Sequence, residues 1–162
     1  MAGKPPVVWR PADWSNYTAA YRGAAQIDRV VIHVAQGSYS SAVNWFQTPG
    51  SGVSAHYVIR SWDGQIAQCV DDANIAWQAG TWRTNRTSLS IEHEGYFYDP
   101  TWFTDEMYRS SARLVAYLCG WYGIPINRRR IVGHYEVAYT ECPGPWWWWD
   151  YYMDLVWWYA WG

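Results

Sequence analysis

The polarity pattern divides the chain into stretches of two periods. Arg29-Val-Val-Ile-His33-Val34 is rich in β-branched residues and predicts a buried strand. Residues 54–60 and 65–70 predict two more strands, and Trp62-Asp63-Gly64 between them is a hairpin signal. Ser88–Glu94 predicts another strand. The helical period is clearest over Thr104–Tyr122. There Met107, Ser111, Leu114, Val115, Leu118, Cys119 and Tyr122 recur at steps of three and four and form one stripe. Thr104 is placed to cap this helix, Asp105 and Glu106 suit its positive end, and Gly123 and Pro125 stop it.

The remaining stretches carry weaker signals. Ser41–Gln47 predicts a short helix capped by Ser40 or Ser41, and Thr48–Gly52 is a turn cluster. Residues 72–86 read as irregular, Ile131–His134 as a short segment, and 150–159 as a final helix. Strands mixed with helices, one of them long and amphipathic, predict an α/β fold: a single domain with a central mixed β-sheet flanked by helices. The length of 162 residues suits one compact domain. Residues 1–26, loop-rich with Pro5, Pro6, Pro11 and Gly23, are expected to belong to the same domain as 27–162.

Composition narrows the function classes. A net charge of −2 provides no basic field to gather nucleic acid, so no nucleic-acid partner is expected. No run of about 18 apolar residues exists, so membrane insertion is not expected. Met1–Pro6 lacks the apolar stretch of an export leader. Three widely spaced cysteines, Cys69, Cys119 and Cys142, argue against a disulfide framework. The aromatic content is unusual: 15 Trp and 14 Tyr stand against 3 Phe, and Trp146–Trp149, Trp157, Trp158 and Trp161 crowd the end of the chain. Three roles are open to these tryptophans: packing on the core, an aromatic wall beside a site, or an exposed surface that drives association.

Few residues are equipped for chemistry. His33 ends a hydrophobic strand, His134 lies in Val132-Gly-His-Tyr-Glu136, and Cys142 lies in Thr140-Glu-Cys-Pro-Gly-Pro145. Two imidazoles and a thiolate suit zinc, and three protein ligands leave one position open, as in catalytic sites. The spacing is unlike a zinc finger. A satisfied histidine, a small buried cysteine and a nucleophilic Cys142–His134 pair all stay open on the residues alone.

Several blocks occur in an order that resembles the N-acetylmuramoyl-L-alanine amidase family of phage endolysins, bacterial cell-wall amidases and peptidoglycan recognition proteins. They are Val31-Ile-His33 with Gln36-Gly-Ser38; Gly52-Val-Ser-Ala-His-Tyr57 with Asp63-Gly64; Ala76-Trp77 with Ala79-Gly80; Ser90-Ile-Glu92-His-Glu-Gly95; Ile131-Val-Gly-His134; and Thr140-Glu-Cys-Pro-Gly-Pro145. The resemblance implies a zinc ion on His33, His134 and Cys142. It implies Glu92 as general base, in preference to Glu94, and Thr140 as a donor to the oxyanion. It places Trp77, Gln78 and Trp146 beside the substrate. Strand alternation turns His93 away from Glu92, and His56 and His93 are expected to be structural histidines. The implied reaction cuts the amide between N-acetylmuramic acid and L-alanine in peptidoglycan, outside the cell or at its wall, by secretion or phage delivery.

This chain departs from the family at Ala55, where some branches carry Tyr, at Val34-Ala35, at Gln78, where His is common, and through the Trp146–Trp149 run. These polar-to-apolar changes read as an engineered variant of a natural scaffold. They keep two alternatives open: a zinc hydrolase for a different apolar ester or amide, and a peptidoglycan-binding module without catalysis.

Overall fold

The computed structural model describes residues 1–162. Its centre is a six-stranded mixed sheet built from β1 (Val8–Trp9), β3 (Arg29–Val34), β4 (Tyr57–Ile59), β5 (Ile66–Gln68), β7 (Ser88–His93) and β8 (Ile131–Gly133), in the order β1-β5-β4-β7-β3-β8. β3 runs parallel to both β7 and β8, and β4 parallel to β7. The β4–β5 hairpin supplies the antiparallel pair. Gly64 turns it with φ of 72°, a conformation that a side chain would strain. A separate two-stranded sheet pairs β2 (Tyr17–Thr18) with β6 (Ile75–Ala76).

Alternation along the central strands separates two faces. Val30, Ile32, Val34, Leu89 and Ile91 belong to the larger apolar core, together with the buried stripe of α3 (Asp105–Tyr122) and with Tyr152, Leu155 and Val156 of α4 (Trp149–Trp161). Val31, His33, Ser90 and Glu92 alternate with these residues and point the other way. A second, smaller core holds Tyr39, Val43 and Phe46 of α1 (Tyr39–Gln47) against Ala55, Val58 and Ala67.

α3 forms as its stripe predicts. The Thr104 hydroxyl accepts a hydrogen bond from the Met107 amide, and Gly123 closes the helix in the left-handed conformation. The structure corrects three expectations. Ser38 caps α1, accepting from the Ser41 amide at 3.0 Å, so the helix starts earlier than the serines at 40 and 41 suggested. The stretch 72–86 is not wholly irregular: it contains β6 and the one-turn helix α2 (Trp82–Asn85). The loop-rich N-terminal segment contributes an edge strand, since Val8 and Trp9 pair in parallel with Ala67 and Gln68.

The tryptophans divide between the roles open to them. Trp147 is buried, with ring centroids 4.5 Å from His93, 4.8 Å from Tyr108 and 5.1 Å from Tyr152. Trp146, Trp148, Trp157, Trp158 and Trp161 are exposed. No helix is long and apolar enough to cross a membrane.

Candidate metal centre and cleft

Three segments deliver the donor residues to one place. His33 stands near the carboxyl end of β3, and in the parallel register Glu92 is its direct neighbour on β7. β8 pairs with β3 on the other side, so the chain leaves Gly133 and presents His134 next to His33, with ring centroids 4.4 Å apart. A hydrogen bond from the Tyr135 amide to the Cys142 carbonyl folds the following loop back and brings in Cys142. One ligand atom from each of His33, His134 and Cys142 lies within 4.8 Å of the others.

The donor set fits a zinc ion. His33 Nδ1 and Cys142 Sγ are 3.8 Å apart. Tetrahedral zinc with ordinary Zn–N and Zn–S bonds would hold such a pair about 3.6 Å apart. The Val34 amide donates to Cys142 Sγ at 3.3 Å, a contact that favours the thiolate over the thiol. Burial nevertheless pushes the Cys142 thiol well above its ordinary range, and the nearby Glu92 carboxylate adds to this. Burial also lowers His33 to about 3, with His134 beside it contributing, and burial lowers His134. Both imidazoles therefore stay neutral near pH 7 and keep lone pairs for a cation, while the thiol must give up its proton to ligate one.

Glu92 is the carboxyl group at the cluster. Its Oε1 lies 3.8 Å from His33 Nδ1, and its side chain is 17% exposed. Oε2 is buried and has no hydrogen-bond partner, and burial pushes the carboxyl up to about 8. An orphaned carboxylate oxygen at the edge of a donor cluster is the kind of exception that marks a working site. Glu94 differs completely. Its two oxygens accept from the Tyr39 and Ser61 amides at 2.7 and 2.8 Å, so it ties α1 to the β4–β5 hairpin.

An open cleft of about 780 Å³ adjoins the cluster, with His134, Thr140, Trp77, Trp82 and Tyr139 among its lining residues. His33 and Cys142 are buried outside its lining. Thr140 Oγ1 accepts from the Cys142 amide at 3.2 Å, which leaves its own proton for another acceptor. Trp77 lines the cleft and donates from Nε1 to Thr18 Oγ1 at 2.8 Å. Gln78 also borders the cleft, but both ends of its amide are engaged, Oε1 with His33 and Nε2 with Ser88. Trp146 is 55% exposed and lies outside the lining. Sequence reasoning missed Trp82 and Tyr139. Trp82 belongs to a stretch without periodicity, and Tyr139 to a loop folded back by the hydrogen bond from the Tyr135 amide to the Cys142 carbonyl.

His56 and His93 are structural, as expected. His56 is fully buried, with Nε2 2.9 Å from the Asn74 carbonyl and Nδ1 3.1 Å from Ser90 Oγ. His93 faces the larger core and contacts the His33 carbonyl at 2.7 Å and Ser111 Oγ at 2.6 Å.

Fold and site together define an α/β domain with a His-His-Cys donor cluster at its strand ends beside an open cleft. The chain belongs to the N-acetylmuramoyl-L-alanine amidase family, whose pattern matches residues 23–145. It is 39% identical over 117 residues to N-acetylmuramoyl-L-alanine amidase A of Achromobacter lyticus, a match covering 72% of this chain and 63% of that protein. The chain thus spans less than two thirds of that relative's length. Among solved structures it resembles the endolysin amidase LysCS of Clostridium intestinale, with a TM-score of 0.76 and 22% identity over 95% of this chain and 97% of that one. It also resembles the amidase AmiD of E. coli, solved with an anhydro-N-acetylmuramic acid peptide. That match has a TM-score of 0.68 and 23% identity over 85% of this chain and 59% of that one. At these identities the structural matches establish the fold.

Proposed function

We propose that this chain hydrolyses the amide bond between N-acetylmuramic acid and L-alanine in peptidoglycan, acting at the cell wall or outside the cell. One observation carries the reading: a buried carboxyl with an unpartnered oxygen, Glu92, abuts a His-His-Cys donor cluster in a chain of the amidase family. His33, His134 and Cys142 would hold zinc, and the bound ion supplies Lewis-acid polarisation and an acidified water.

The chain's own residues do the rest. Glu92, held at about 8, has a proton affinity near neutrality, which suits a group that takes a proton from water and returns it to the leaving amine. The Thr140 hydroxyl, with its proton uncommitted inside the protein, donates to the oxygen on which charge develops. Trp77 offers an indole face for a sugar ring or a stem-peptide methyl. A cleft of about 780 Å³ is large enough for a muropeptide. Trp146 and Trp148 lie outside that cleft.

The test is incubation with purified peptidoglycan, with and without a chelator, followed by assay of new L-alanine amino termini. Chelator-sensitive release is expected. No release from protein carrying one zinc per chain would overturn the substrate assignment.

A further inference from the structure

The hydrogen bonds behind the donor cluster determine which nitrogen of each histidine is free, and they converge on one short segment. The Thr84 carbonyl can only accept. Ser88 Oγ therefore donates to it, at 2.7 Å, and must act as acceptor toward Gln78, 2.9 Å away. That orients the Gln78 amide with Nε2 toward Ser88 and Oε1 toward His33 Nε2, at 2.5 Å. Since Oε1 only accepts, His33 carries its proton on Nε2, and the lone pair is on Nδ1, which faces Cys142 and Glu92. The next residue does the same for the other histidine. The Ala79 carbonyl is 3.1 Å from His134 Nε2, so His134 also carries its proton there and leaves Nδ1 free.

Asn85 holds both residues of this segment. Its side chain is nearly buried, and Oδ1 accepts from the Gln78 amide at 3.3 Å and the Ala79 amide at 2.9 Å. Asn85 is itself fixed, since its amide donates to the Thr81 carbonyl and its carbonyl accepts from the buried Arg22 guanidinium. Neither Asn85 nor the Ala79 carbonyl belongs to the three-residue donor cluster.

We propose that Asn85 and the Gln78–Ala79 segment form a shelf that presents both histidines to the metal position as the same tautomer, which makes Asn85 and Gln78 positioning residues for metal binding. The inference rests on the reading of His33, His134 and Cys142 as metal ligands. It assigns Gln78 to the histidine rather than to the substrate. Partners of this kind, behind a ligating imidazole, are worth roughly 10–100-fold in metal affinity.

The experiment uses the full chain without substrate. Zinc affinity is measured by competition with a chromophoric chelator for the parent and for Asn85→Ala, Gln78→Leu and Asn85→Asp. Asn85→Ala and Gln78→Leu should weaken zinc binding about 10–100-fold. Asn85→Asp keeps an acceptor oxygen in place and should stay within a few-fold of the parent. In parallel, long-range ¹H–¹⁵N NMR of the metal-free protein reports the imidazole tautomers. His33 and His134 should both be protonated on Nε2 in the parent, and His33 should become mixed in Gln78→Leu. Unchanged affinity in both disruptive variants, or Nδ1-protonated histidines in the metal-free parent, would overturn the shelf. A parent that binds no zinc yet shows both Nε2–H tautomers would overturn the metal reading and leave the shelf standing. If Asn85→Ala does not fold, Gln78→Leu and the tautomer measurement still decide.

Discussion

β3 and β7 present two different worlds one residue apart. On one face Val30, Ile32, Leu89 and Ile91 are fully buried against α3 and α4, within a core that also takes in Trp147 and Tyr152. On the other face His33 and Glu92 sit side by side with protonation equilibria pushed hard by burial, one to about 3 and the other to about 8. A group whose solvation has been removed without full replacement costs folding energy. The apolar face supplies the burial that offsets that cost. The lesson is that substitutions on the two faces should separate stability from chemistry, even though the residues share strands.

The largest expected effect is on the polar face. Glu92→Ala should lower peptidoglycan turnover by about 10²–10⁴-fold. It should leave urea stability equal or slightly higher, because an unpartnered buried oxygen is removed. Retained turnover would end the case for Glu92 as base. Next comes Trp147→Ala on the apolar face, expected to cost about 3–5 kcal/mol in unfolding free energy while zinc affinity in the folded protein is unchanged. Trp147→Phe should cost much less, since the buried Trp147 Nε1 has no acceptor to lose. Both are read by denaturant unfolding, and equal losses for Ala and Phe would contradict the packing account.

A pH series sharpens the contrast further. Burial, reinforced by the Arg22 charge, lowers His56 to about 3, and burial lowers His93 to about 4, both from an ordinary 6.5. Each folded-state value lies below the unfolded one, so the unfolded chain takes up protons first as pH falls. The stability these histidines contribute is complete above pH 6.5 and is lost as pH drops toward 4. The slope is about 1.4 kcal/mol per pH unit for each histidine. Urea unfolding of metal-free protein between pH 7 and 4.5 should show this decline, and His56→Gln should make it shallower. Burial of His33, lowered to about 3, adds to this decline and burial of Glu92, raised to about 8, opposes it, so the difference between variants is decisive: an unchanged slope in His56→Gln would mean that His56 is not buried in its neutral form. The smallest effect expected is for Thr104→Ala, about 1 kcal/mol from loss of the α3 cap, with turnover unchanged. Calorimetry and the peptidoglycan assay check the two halves.

How much of this was legible in the sequence depends on the range of the forces involved. α3 was readable to the residue at both ends, because its stripe, its Thr104 cap and Gly123 act over three or four positions. β3 was readable because an uninterrupted β-branched run has few other places to go. The cap of α1 was misjudged because Ser38, Ser40 and Ser41 are locally equivalent. The choice among them came from a distant contact: Gly37 pairs with Gly95, and Glu94 accepts the Tyr39 amide, which starts the helix there. β6 and α2 left no usable signal, since two bridged residues and a single turn are too short for any period to show.

The sequence alone determined the kinds of atoms the site can use. Two imidazoles, a thiol and a carboxylate were visible in their blocks, together with the strands that carry His33 and Glu92, because residue identity and local periodicity are properties of neighbouring positions. Only the tertiary structure decided that His33 and Glu92 face each other in register, that Gln78 points at His33, and that Asn85 holds the Gln78 and Ala79 amides. Those facts rest on strand pairing and hydrogen bonds between residues far apart in the chain or set in irregular loops. Their energies exist only once the sheet has closed, so no local pattern carries them.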